Sequence, residues 1–192
     1  MAETIAPPPS AETYSAIGPM SVIPGGDDLE LVLKRTIAAP REHVYAAFTD
    51  PELLSRWWGP SDYTVPVAET DPHPSGHYRL VMRAPDGTDY PVQGIFVQAD
   101  EPERVVMTDE AYELPQDWAD LNHEYRREDD TPLRMILRVL FEETDDGTEL
   151  TIISRFPRVE DKNAELQSQA VEGWSQSLEK LERLLAGERS GR

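Results

Sequence analysis

Two hydrophobic periods divide this chain. From residue 163 to 186 the apolar side chains Leu166, Ala170, Trp174, Leu178, Leu181 and Leu185 recur every three or four positions. That spacing draws one stripe along a single long helix, and Gly187 is a fitting C-terminal stop. Upstream the period shortens to two. Over residues 30–37 the side chains Leu31, Leu33 and Ile37 share one face, and Glu30, Val32, Lys34 and Thr36 share the other. This is the pattern of a half-buried strand. The same reading predicts six further strands, at residues 63–69, 77–83, 90–99, 104–108, 133–142 and 149–156. Pro85-Asp86-Gly87, Asp100-Glu101-Pro102 and Asp145-Asp146-Gly147 mark turns between them, the last being a strong hairpin signal.

Two short helices are predicted after the first of these strands, at residues 40–49 and 51–58. Asp50 is a suitable cap for the second, and Pro51 suits its first position. Leu53, Leu54 and Trp57 then fall on one face, and Gly59-Pro60 ends the helix.

Outside this pattern the chain changes character. Residues 1–28 carry Pro7, Pro8, Pro9, Pro19, Pro24 and Gly25-Gly26, and read as a disordered Pro-rich tail. The folded domain is expected at 29–187, and a second short disordered tail at 188–192. Residues 110–131, with Trp118 among many charges, are long for a strand connection and read either as a disordered excursion or as a lid.

Charge narrows the function. The 192 residues carry 18 basic and 37 acidic side chains, a net charge of −19. Such a surface repels phosphate backbones and anionic lipid, so neither nucleic acid nor membrane is an expected partner. With no cysteine, disulfides and thiolate metal sites are excluded. His43, His73, His77 and His123 show no metal-ligand spacing, and no metal or other cofactor is expected. The apolar runs are too short for a membrane span, and the N-terminus does not read as a signal peptide, so a cytoplasmic location is expected. Nucleophile elbow, phosphate loop and dinucleotide fingerprint are all missing, which favours a binder over an enzyme.

Several signatures occur in order: Ile37-Ala38-Ala39-Pro40, Asp50-Pro51 through Trp57-Trp58-Gly59-Pro60, and Gly76-His77-Tyr78-Arg79. Pro85-Asp86-Gly87, Val92-Gln93-Gly94, Glu103-Arg104-Val105 and Gly173-Trp174 with its trailing leucines follow. Over about residues 29–187 the chain resembles the START-like (SRPBCC, helix-grip) superfamily, in the branch named after the activator of the heat-shock protein 90 ATPase. The resemblance implies an α+β helix-grip fold. A curved seven-stranded antiparallel sheet would wrap around the long C-terminal helix, with two short helices after the first strand. It further implies a hollow interior that holds a small hydrophobic or aromatic molecule. The alternatives are a polyketide cyclase or aromatase acting in the same cavity, and an interaction module with a chaperone partner.

Given that fold, Tyr78, Leu80 and Met82 on one strand and Met135 and Leu137 on another look toward the long helix. The expected ligand-binding set is these five with Arg35, Trp58, Phe96, Met107, Gly173, Trp174 and Ser177. Methionines suit an apolar surface that must adapt. Gly173 costs a helix about 1 kcal/mol, which either close packing or room for a ligand would explain. Trp174 is expected to be a central anchor, and Trp58 to stand at the cavity mouth. Arg35 follows Leu31 and Leu33 on one strand face and either holds a ligand carboxylate or forms a salt bridge at the sheet rim.

Overall fold

The computed structural model describes residues 20–25, 28–111, 135–157 and 163–190. In chain order the elements are β1 (Met20–Gly25), β2 (Asp28–Ile37), α1 (Arg41–Thr49), α2 (Pro51–Trp57), β3 (Thr64–Thr70) and β4 (His77–Arg83). They continue with β5 (Asp89–Asp100), β6 (Arg104–Ala111), β7 (Met135–Thr144), β8 (Gly147–Pro157) and α3 (Asn163–Ser190). The strands form one antiparallel sheet in the order β1-β2-β8-β7-β6-β5-β4-β3. This is the helix-grip architecture expected, with every predicted strand present.

β1 is the addition. It falls in the segment read as a tail, pairs antiparallel with β2 (Met20 opposite Leu33, Gly25 opposite Asp28), and makes the sheet eight-stranded. Its Pro24 had argued against a strand. An edge strand tolerates proline, because its outward N–H has no ladder partner to lose. The rest of the expected tail, residues 1–19, and residues 112–131 of the charged excursion lie outside the described residues. At the other end α3 runs to Ser190. Gly187 is not among the glycines with positive φ, so the left-handed stop does not form there.

The faces obey the two-residue period. Leu31, Leu33 and Ile37 of β2, Leu137, Val139 and Phe141 of β7, and Leu150 and Ile152 of β8 are buried in one core. That core also holds Phe48 and Trp57 of the short helices and Leu178, Leu181, Leu184 and Leu185 of α3. Val32 and Ile153 form a separate small cluster with Leu140 packed on it. On β2 and β7, Glu30 and Arg138 are also buried, 3.7 Å apart. Among the described apolar side chains of the long helix, Leu178, Leu181, Leu184 and Leu185 are the most deeply held. From Ala170 to Gln176 its side chains are half-buried or exposed.

Candidate ligand site

The site is built from the second short helix outward. Asp50 Oδ1 accepts the backbone N–H of Glu52 and Leu53 at 2.8 and 3.1 Å, the cap expected of it. The short helix so started ends on the tryptophan pair. Trp57 points into the core, fully buried, and its indole N–H donates to the Ala47 carbonyl at 2.7 Å. Trp58 leaves the helix half-buried. Gly59 follows with φ +85°, a backbone turn that favours glycine, and a side chain there would also press on the Met82 sulfur at 3.1 Å.

The tryptophans belong to a continuous run of rings. Tyr45 meets Phe141, Phe141 meets Phe48, and Phe48 meets Trp57, at centroid distances of 5.5, 5.4 and 4.7 Å. Trp57 meets Trp58 at 5.3 Å, and Trp58 meets Trp174 of α3 edge-on at 5.4 Å. These separations and tilts are those that aromatic quadrupoles favour. The run begins in the core and ends on two half-buried indoles.

Beside Trp174, Gly173 resolves one of the alternatives left by the sequence. A methyl group built there would meet nothing within 4 Å, so close packing does not require glycine. Ser177, one turn on, is buried, and its hydroxyl donates back to the Gly173 carbonyl at 2.8 Å. This hydroxyl bond is the kind that weakens and bends a helix.

Strands β4 to β7 supply a wall of apolar side chains to the same core, against which Trp58 and Trp174 pack. Leu80 and Phe96 are fully buried and Met107 nearly so, with Phe96 and Met107 paired across β5 and β6. Tyr78 stacks edge-on with Phe96 at 5.9 Å and donates its hydroxyl to the Thr108 carbonyl at 2.7 Å. Met82 is half-buried, and Leu137 is buried. Met135 departs from expectation. It keeps the inward parity of Leu137, but at the first position of β7 it lies at the strand end and is 37% exposed. It is therefore not part of this wall. Trp174 is also corrected: it is half-buried, and the deeply anchored tryptophan is Trp57.

Arg35 takes the ion-pair alternative, though its partner is on the helix and not on the sheet rim. Its guanidinium forks onto Glu182 at 2.7 and 2.9 Å. That hydrogen-bonded carboxylate raises the Arg35 pKa, opposed by partial burial. His43, His73 and His77, the described histidines, are all exposed. Among the described residues no group of three His, Cys, Asp or Glu side chains is placed to hold a metal.

Lys180 was missed by sequence reasoning. Its ammonium sits 3.2–3.3 Å from four backbone carbonyls, those of Trp58, Gly59, Pro60 and Tyr63. Desolvation, helped by Arg183, lowers its pKa. The available signal was a lysine, one of three in the chain, one turn from Ser177 and Leu184 and next to the stripe. This ammonium, with the Ser61 N–H donating to Gln176 at 3.0 Å, ties the Trp58 loop to the long helix.

Comparison with known proteins agrees with this fold. Searching the curated proteins finds no match. Among solved structures, a protein from Chromobacterium violaceum is 26% identical, with TM-score 0.65 over 81% of this chain and 96% of its own. The AHSA1 protein from Silicibacter pomeroyi is also 26% identical, with TM-score 0.63 over 83% of this chain and 99% of its own. A Rhodobacter sphaeroides protein at 21% identity shares the fold, with TM-score 0.68 over 87% and 98%. The family model described as Activator of Hsp90 ATPase homolog 1-like protein matches residues 38–186, from the end of β2 through the long helix, and the chain belongs to that family.

Proposed function

We propose that this protein binds a small hydrophobic or aromatic molecule between the sheet and the stretch of the long helix around Gly173 and Trp174. One observation carries the reading: two half-buried indoles, Trp58 and Trp174, meet edge-on beside a helix position whose side-chain space is open. Water-facing aromatic surface of this kind gains by covering itself with a flat apolar partner. Leu80, Phe96 and Met107 are packed within the core cluster on which both indoles rest. The cyclase alternative needs an acid–base pair inside the cavity. It draws no support from Arg35, which is bound to Glu182, or from the exposed His77.

The test uses the tryptophans as reporters. A flat aromatic probe should change their fluorescence at micromolar concentration. Gly173→Leu fills the open space and should abolish the change while the circular dichroism spectrum is kept. Gly173→Ala is the control. It relieves the helix of glycine's entropy and should raise stability by about 0.5–1 kcal/mol with binding retained. A leucine variant that binds as well as the parent would defeat this reading in favour of an interaction module.

A further inference from the structure

We infer that Lys180 is the positioning residue of this site: its ammonium fixes the loop between α2 and β3, holds the Trp58 indole against Trp174, and so sets the affinity for an aromatic ligand. The affinity rests on the binding reading above, whereas the positioning stands on geometry alone. The loop is residues 58–63. Among the described residues two backbone hydrogen bonds serve it, Trp58 N–H to the Leu54 carbonyl and Tyr63 N–H to the Pro60 carbonyl, both at 3.1 Å. Pro60 has no N–H to give. Gly59, at φ +85°, turns the chain back on itself. The turn gathers the carbonyls of Trp58, Gly59, Pro60 and Tyr63 around one point, the Lys180 ammonium, at 3.2–3.3 Å. That point lies at the C-terminal end of α2, where a helix leaves carbonyls unpaired and a cation is favoured. A compact ammonium with three donors on a flexible stem can serve carbonyls that converge in this way, and a flat guanidinium fork cannot.

The lysine also comes from the right place on the long helix. Gly173, Ser177 and Lys180 follow at i, i+4 and i+7, on one side of α3. Gln176, one turn before Lys180, accepts the Ser61 N–H at 3.0 Å. The helix thus pins the loop at two points, one and two turns beyond the open position at Gly173. Trp58 is the first residue of that loop, and its ring meets Trp57 and Trp174. Trp174 and Lys180 belong to the same helix. One rigid element therefore carries one indole of the pair and holds the backbone of the other. Their edge-on contact, 5.4 Å between centroids and 77° between planes, is kept by this arrangement. Without the ammonium the four carbonyls lose a shared donor and turn toward water, and Trp58 moves with them.

Lys180→Met, in the full chain, keeps the length of the stem and removes the charge and the donors. Near-UV circular dichroism reports fixed aromatic packing. Lys180→Met should lose the tryptophan signal that Trp58→Ala and Trp174→Ala both lose, which is that of the pair. The neutral dye N-phenylnaphthylamine should bind Lys180→Met at least about fivefold more weakly than the parent. Because Lys180 acts through Trp58, the Lys180→Met, Trp58→Ala double variant should bind within about twofold of Trp58→Ala alone. Lys180→Gln keeps two N–H donors without the charge. It should fall between the parent and Lys180→Met in both readouts, and it carries the comparison if Lys180→Met does not fold. An unchanged near-UV spectrum overturns the inference, as does a smaller loss of dye affinity. Losses that multiply in the double variant also overturn it, since Lys180 would then support the fold at large and not Trp58. If the dye does not bind even the parent, the binding proposal fails and the affinity falls with it, while the near-UV comparison still decides whether Lys180 positions Trp58.

Discussion

Trp57→Ala is expected to cost about 3–5 kcal/mol, the range for deleting a large aromatic from a core, and Trp174→Ala distinctly less. Trp57 is fully buried, contacts Phe48 and Trp58, and satisfies the Ala47 carbonyl, so its removal opens a cavity and orphans a hydrogen-bond acceptor. It also breaks the run of rings in the middle, between the core and the Trp58–Trp174 pair. Trp174 is half-buried and gives up less buried surface. Against a total stability of about 5–15 kcal/mol, the first loss is enough to leave Trp57→Ala only marginally folded. Urea unfolding followed by circular dichroism measures both variants without relying on the residue removed. If Trp174→Ala proved the more damaging, the anchor of this fold would have been misplaced.

The ranking reverses what the helix stripe alone suggests, and the reason bears on how much a sequence of this kind discloses. Periodicity locates elements well: β4 spans the residues predicted, and α1 and α2 differ by one residue each at an end. Periodicity says which face of a helix turns inward. It does not say how far along its length the helix stays covered. Leu178, Leu181 and Leu185 are buried, while Ala170 and Trp174 on the same stripe are only half so, so among the described side chains the cover deepens toward the C-terminal end. Met135 fails for the same reason at a strand end. β1 was hidden because Pro24 and the glycines after it resemble a linker, and only pairing with β2 reveals the strand. Lys180 stood out only as a lysine beside the stripe, since its partners are backbone carbonyls 117 to 122 residues away. Asp50, Pro51 and Gly59 were legible because capping and turn chemistry are local. The polar anchors of the site are long-range, and so sequence reasoning left Arg35 with two alternatives.

Glycines make the same point from the opposite side, because the two that matter most for the site are expected to respond oppositely to alanine. At Gly173 there is open space and the substitution stabilises. At Gly94 of β5 an added Cβ would stand 2.1 Å from the Thr108 carbonyl oxygen and 2.9 Å from the Thr108 hydroxyl. The nearer obstacle is backbone, which cannot swing aside as a side chain can. Thr108 is, moreover, the residue on which this corner of the sheet is fastened. Its carbonyl accepts the Tyr78 hydroxyl at 2.7 Å, and its own hydroxyl accepts the Ile95 N–H at 3.1 Å. Gly94 sits opposite Tyr78 in the β4–β5 register, so one displacement loosens both strands. Overpacking costs about 1–3 kcal/mol and a buried phenol left without its acceptor about 1–3 more. Gly94→Ala should therefore destabilise by roughly 2–6 kcal/mol, with β6 pushed away from β5 and the Phe96–Met107 wall opened. Tyr78→Phe separates the two contributions. It removes the hydroxyl without the clash and should cost only about 1 kcal/mol, so a Gly94→Ala, Tyr78→Phe double variant should be less damaged than the sum of its parts. Equilibrium urea unfolding of the four proteins provides the cycle. Strict additivity would show that Gly94 and Tyr78 do not act through Thr108. A Gly94→Ala loss below about 1 kcal/mol would show that β6 yields without strain, and the sheet would then be far more compliant at this point than a packed core allows.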